Sequence, residues 1–103
     1  MWYNYILQSL KDKKLYTGVT SNLRNRFTEH NSGEVASTKY RRPLKLLYYE
    51  ACLDEEDAKR REKTLKSGKG KRYIAMRLKK YLSEPRTSFV KFRGEVRDEK
   101  RNQ

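Results

Sequence analysis

The chain has a single cysteine, Cys52, among its 103 residues. That excludes an intramolecular disulfide and any zinc site built on cysteines, and it fits a reducing compartment, so the expected location is cytoplasmic. Long apolar runs are missing as well. The longest, around LKLLYY, is one strand's worth of residues, far short of the roughly 20 that a membrane-spanning helix needs. The opening MWYNYILQSL lacks a basic leader and a small-residue cleavage site, and so does not read as a signal peptide. There is no internal repeat, no zinc-finger spacing and no helix-turn-helix pattern. SGKGKR, residues 67–72, lacks the G-x-x-x-x-G-K-[ST] spacing and the preceding strand of a phosphate-cradling loop, which argues against an NTPase.

Acidic charge is also scarce beside basic charge: 13 Asp and Glu stand against 26 Lys and Arg, a net of +13. Such an excess attracts and steers polyanions, and the favoured partner is nucleic acid. A merely soluble basic protein, or a ribosome- or RNA-associated one, carries the same charge. Hydrophobic residues make up only 35% of the chain, so the core is small; eight tyrosines make it aromatic and amphipathic. The length supports one domain, expected over 1–83, followed by a charged tail over 84–103.

WYNYILQS and LYTGVT read as two strands of a β-hairpin about the polar turn LKDKK. Ser21 and Asn22 suit the N-cap of a helix from Leu23 to Asn31, stopped by Ser32 and Gly33. Residues 34–45 have no clean period and read as a basic loop, with Pro43 leading into a third strand, LKLLYYEA. LDEEDAKRREKTLKSG predicts a helix capped by Asp54, its acids at the positive end of the dipole and Gly68 ending it. KRYIAMRLKKYL predicts another, with Ile74, Leu78, Tyr81 and Leu82 on one face. SFVKF in the tail is a possible short strand. The expected fold is α+β: a three-stranded, mainly antiparallel sheet flanked by helices in the order β-β-α-β-α-α.

Some polar residues sit oddly on these elements. At about 100° per residue, Arg26 and His30 share an arc with Leu23 and Phe27. Glu62 falls between Ala58 and Leu65 in the apolar stripe of the next long helix. Taken singly, each has a plain explanation: Arg26 pairs with Glu29, His30 packs passively, and Glu62 meets one of the many lysines or arginines. Tyr5 and Tyr16 lie on opposite strands of the hairpin, and Gly18 breaks a strand that a glycine weakens unless something must come close. Taken together, two tyrosines, an arginine, a histidine and a carboxylate suit metal-assisted phosphodiester hydrolysis. A carboxylate can hold Mg²⁺ or Mn²⁺, largely through water. Arginine matches phosphate geometry, and tyrosine or histidine can move the proton of the attacking water.

The N-terminal two-thirds of the chain resembles the GIY-YIG nuclease domain, the type found in the bacterial excinuclease incision subunit and in small stand-alone bacterial proteins. The signature tripeptides read Tyr3-Asn4-Tyr5 and Tyr16-Thr17-Gly18, each keeping its tyrosine. NLRNRFTEHNSG is similar to the family's helix, which places its arginine at Arg26 and its histidine at His30. AKRREKTLKSGKGKRY is similar to the segment that carries the metal-binding glutamate, here Glu62. The resemblance implies an endonuclease in which Tyr16 is general base or positions water, Tyr5 and His30 assist proton movement, and Arg26 stabilises the transition state. It implies one Mg²⁺ or Mn²⁺ ion on Glu62.

Gly18, Lys39, Arg41, Arg42, Lys66, Lys69, Lys71 and Arg72 are the candidate contacts to a nucleic-acid backbone. With no base-reading motif, the expected substrate is DNA chosen by structure or weakly by sequence, with RNA also admissible and repair or recombination the expected setting. The rival reading is a non-catalytic nucleic-acid-binding module on the same fold.

Overall fold

The computed structural model describes residues 1–84; the tail and the SFVKF strand expected within it lie outside the described residues. Strands β1 (Trp2–Ser9), β2 (Leu15–Thr20) and β3 (Leu44–Cys52) form one sheet in the order β2-β1-β3. Both pairings are antiparallel. The β1–β3 ladder slips between Ile6 and Leu7, so that Ile6 opposes Tyr48 while Leu7 opposes Leu46. β1 is the central strand, and Asn4 through Ser9 are all buried because helices cover both faces of the sheet.

On one face, Tyr5, Leu7 and Leu44 pack with Leu23 and Phe27 of helix α1 (Leu23–Asn31). On the other face, Ile6 packs with Leu65 of α2 (Glu55–Lys66) and Ile74 of α3 (Gly68–Arg77). Buried side chains of this kind each contribute about 1.5–3 kcal/mol. The polar groups of β1 are matched: Asn4 Nδ2 donates to the Ala58 carbonyl at 2.9 Å, and Ser9 Oγ donates to the Arg41 carbonyl at 2.6 Å. Asn31, at the end of α1, clamps the start of β3, donating to the Leu44 carbonyl and accepting from its N–H.

The expected helices form with their expected caps. Asn22 accepts from the N–H of Asn25, and Asp54 from those of Glu56 and Asp57. There are three local differences from the expected elements. Gly68 does not end α2; Ser67 lies extended between the helices, and its hydroxyl accepts from the Gly70 N–H, so Gly68 is the first residue of α3. The KRYIAMRLKKYL helix divides at Leu78 into α3 and a short α4 (Lys79–Ser83). Within the basic loop, residues Lys39–Arg41 coil into a 3-10 turn.

A polar staple holds α2 and α3 to β3. Arg61 donates to both oxygens of Glu50, at 2.7 and 3.1 Å, and its guanidinium lies 4.9 Å from the Tyr73 ring centroid. Tyr48 donates to Glu50 Oε2 at 2.9 Å. The Arg61 fork, foremost, holds the Glu50 carboxyl below its usual pKa. Burial, foremost, pushes the Tyr48 hydroxyl well above its ordinary value.

Two glycines of α3 differ sharply in surroundings. A Cβ at Gly70 would overlap the Thr64 carbonyl and the Leu65 backbone, whereas one at Gly68 would enter open space. Gly70→Ala is therefore expected to cost about 1–3 kcal/mol by overpacking. Gly68→Ala should be stabilising by about 0.4–1 kcal/mol, through the lowered entropy of the unfolded chain. Urea unfolding of both variants beside the parent checks the contrast.

Candidate active site

Tyr5 organises the site. It stands opposite Gly18 in the β1–β2 ladder, and its ring occupies the space where a side chain at 18 would lie: a Cβ there would overlap both Cζ and the hydroxyl oxygen. The glycine is required by a tyrosine ring, and no approaching phosphate is needed to explain it. The ring position carries the hydroxyl to α1, where His30 Nε2 meets it at 2.9 Å. The two rings are edge to face with centroids 5.7 Å apart.

His30 is only 5% exposed, and its other nitrogen, Nδ1, meets the Thr38 hydroxyl at 2.8 Å. Neutral imidazole has one donor and one acceptor nitrogen, so either tautomer satisfies both neighbours. Burial, and then the charge of Arg26, lower the His30 pKa. Arg26 lies one helical turn earlier with its side chain 40% exposed and pairs with Glu29 at 3.0 Å. Its guanidinium also faces the Tyr5 hydroxyl. Burial raises the Tyr5 pKa, Arg26 opposes that rise, and the Glu62 charge adds to it. Histidine and arginine thus meet a tyrosine on the inner edge of α1, and Arg26 retains the Glu29 partner as well.

Glu62 is on α2, half-buried at 22% exposed, with Lys66 3.3 Å away. The pair is one turn apart on a partly solvated surface, so it holds the carboxylate weakly. Among the described residues no group of three His, Cys, Asp or Glu side chains could enclose a metal ion. A donor set of one accessible carboxylate fits a hard, mostly hydrated divalent ion that takes its remaining oxygens from water and substrate. It does not fit an ion that needs a cage made of protein.

Tyr16 lies diagonally from Tyr5, since Leu7 is its direct partner in the ladder. Its hydroxyl turns toward the hairpin end and donates to Asp12 Oδ2 at 3.4 Å. Arg41 reaches the same carboxylate at 3.5 Å. Burial and then the Asp12 charge raise the Tyr16 pKa. The site therefore gathers Tyr5, Arg26 and His30 closely, brings the charge of Glu62 to Tyr5, and sets the Tyr16 hydroxyl beside Asp12.

The basic candidates fall into two exposed groups. Lys39, Arg41 and Arg42 surround the 3-10 turn, with Arg41 joined to Tyr16 through Asp12. Arg42 is spent partly on structure, donating from Nε to the Lys39 carbonyl at 2.8 Å. Lys66 adjoins Glu62, and Lys69, Lys71 and Arg72 are exposed along the first half of α3. Sequence reasoning did not find Thr38 or Asp12. Thr38 comes from the loop without a period, and Asp12 from a turn whose polarity already had an explanation.

The family description "GIY-YIG catalytic domain" matches residues 1–75. The chain belongs to the GIY-YIG family. This is a nuclease family, and the matched span contains Tyr5, Tyr16, Arg26, His30 and Glu62. UPF0213 protein DP2720 of Desulfotalea psychrophila is 45% identical over 67 residues, which cover 63% of this chain and 60% of that relative. UPF0213 protein SpyM3_1077 of Streptococcus pyogenes is 44% identical over 68 residues, covering 65% of this chain and 73% of the relative. The solution NMR structure of UPF0213 protein BH0048 from Bacillus halodurans is 34% identical, covers 74% of this chain and 84% of its own, and gives a TM-score of 0.47. Among the described residues, no helix is long and apolar enough to cross a membrane.

The buried His30 gives this GIY-YIG domain a pH signature. With its folded pKa below the unfolded value near 6.5, the unfolded chain binds the proton more readily between the two values. The stability due to neutral His30 is complete above about pH 6.5 and falls as pH drops toward the folded pKa. NMR titration should give an imidazole pKa below 6.5, and His30→Gln should flatten the stability profile below about pH 6.5. An imidazole titrating above 6.5 would contradict the buried, Arg26-facing placement.

Proposed function

We propose that this GIY-YIG domain is a metal-dependent endonuclease that hydrolyses phosphodiester bonds in DNA, selecting by DNA structure more than by base sequence, in repair or recombination. The observation that carries the reading is the gathering of Tyr5, His30 and Arg26, with the charge of Glu62 felt at Tyr5, on a chain of net charge +13. A protein that only gripped a polyanion gains nothing from a half-buried carboxylate at its binding surface.

Each residue is assigned a role that its setting supports. Arg26 is exposed enough to exchange its weak Glu29 pair for a phosphate, and its fork supports the charge that grows on the phosphoryl oxygens. Tyr5 and His30 form a short relay: the Tyr5 hydroxyl takes the proton of the attacking water as it passes its own to His30 Nε2. Nε2 accepts it when the ring proton sits on Nδ1 toward Thr38. Tyr16 orients the attacking water. Its raised pKa suits hydrogen bonding to that water more than outright removal of its proton. Glu62 would hold Mg²⁺ or Mn²⁺ once Lys66 is displaced, and an ion bound there supplies Lewis acidity toward the phosphate oxygens and the leaving group. The lysines and arginines of the 3-10 turn and of α3 hold the sugar-phosphate backbone on either side, with Gly18 beneath as the seat of Tyr5.

The test is cleavage of branched, nicked and single-stranded DNA, and of RNA, with Mg²⁺ or Mn²⁺. Glu62→Gln should lower the cleavage rate at least ~100-fold while leaving binding in place, and Tyr16→Phe should lower it less. Binding should weaken steeply as salt rises from 50 to 200 mM. A wild-type protein that binds DNA and cleaves none of these substrates with either ion would leave the non-catalytic reading instead.

A further inference from the structure

Beside the Tyr5 site the sheet carries a second feature that the proposed chemistry does not use. A groove of about 480 Å³ runs between the start of α1, the start of β1 and the middle of β3. Leu23 and Phe27 line one side, Tyr3, Leu46 and Tyr49 the other, and Arg24 stands at its rim. Tyr49 is 54% exposed, unusual for a large aromatic on a sheet face. Tyr3 braces it edge to face, with centroids 6.0 Å apart and planes at 66°, so the Tyr49 ring is held while much of it stays open.

We propose that this groove receives an unpaired nucleobase of the substrate, stacked on Tyr49. The inference rests on the nuclease reading and narrows its substrate class to nucleic acid with an unpaired nucleotide beside the scissile phosphate. The groove's aromatic and aliphatic side chains suit the faces of a base, which every base has, and Ser21 and Asn22 add polar groups at the α1 end. Among the described residues no acidic side chain lines it, and Arg24 can meet the phosphate that accompanies the base. Its position adds a constraint: Tyr49 is the direct cross-strand partner of Tyr5 in the β1–β3 ladder. Side chains so paired are neighbours on one face, so a base on Tyr49 places its own backbone next to the Tyr5, His30 and Arg26 cluster. A base stacked within an intact duplex cannot enter. The groove therefore favours single-stranded, gapped or branched substrates without reading their sequence.

The test is binding in metal-free buffer, by fluorescence anisotropy, of a single-stranded oligonucleotide and of the matching intact duplex. Wild type should prefer the single strand. Tyr49→Ala should weaken single-strand binding about tenfold and leave duplex binding unchanged, while Tyr49→Phe, which keeps the ring, should bind as wild type. A 2-aminopurine in the single strand should lose fluorescence on binding wild type and Tyr49→Phe, and keep it with Tyr49→Ala. Tyr49 is exposed, and unchanged circular dichroism confirms that the variants fold. If Tyr49→Ala has no effect, or weakens both ligands equally, the groove is not a base site even though the nucleic-acid reading stands. If wild type binds neither ligand, the nucleic-acid reading falls and the groove proposal with it.

Discussion

The ring of Tyr5 rests on β2 where Gly18 has no side chain, and the rest of the candidate site is built on that contact. The ring's position delivers the hydroxyl to His30, and His30 in turn ties α1 to the loop through Thr38. The Asn31 clamp on Leu44, next along the helix, fixes the same end of α1 to β3. Burial has opposite signs for the two titrating partners: it raises the tyrosine and lowers the histidine, so both are held neutral near pH 7. A neutral donor and a neutral acceptor in contact form a proton path that carries no standing charge in a buried position. Arg26, at the exposed margin of the same helix, supplies the positive charge.

The other half of the site depends on a different kind of contact. Glu62 follows Arg61 in α2, and Arg61 is fixed by its fork to Glu50 and by the Tyr73 ring. That staple limits rotation of α2 on the sheet, with Ala58 and Leu65 buried beneath it. The neighbouring carboxylate is thereby kept at the margin, where its charge reaches Tyr5. Core packing thus sets α1 on one face of the sheet, and the polar network helps set α2 on the other.

Much of this could be read in the chain. β1, β2 and α1 fall where the strand patterns and the Asn22 cap place them, because side-chain alternation and capping are local. Arg26, His30 and Glu62 stood out through helical spacing alone. What could not be read was set by register and by neighbours distant in sequence. Gly18 was conspicuous, but only the pairing with Tyr5 explains it. Thr38 reaches His30 from a loop without periodicity. The Tyr16 hydroxyl goes to Asp12 because the hairpin turn folds back toward it, a choice that strand alternation does not decide. The double use of Ser67 as the cap between α2 and α3 hid behind the more familiar expectation that a glycine ends a helix. The Tyr49 groove needs three elements to meet, and no one of them carries its signal.

The most direct measurement of the central claim is single-turnover cleavage by Tyr5→Phe, which keeps the ring over Gly18 and removes only the hydroxyl. Stability should fall by about 1–3 kcal/mol because His30 Nε2 loses its partner. With the fold intact and substrate affinity near that of the parent, the cleavage rate should fall by at least ~100-fold, and the imidazole of His30 should change its titration. A Tyr5→Phe enzyme that cleaves at the parental rate would show that the hydroxyl-imidazole contact takes no part in the chemistry.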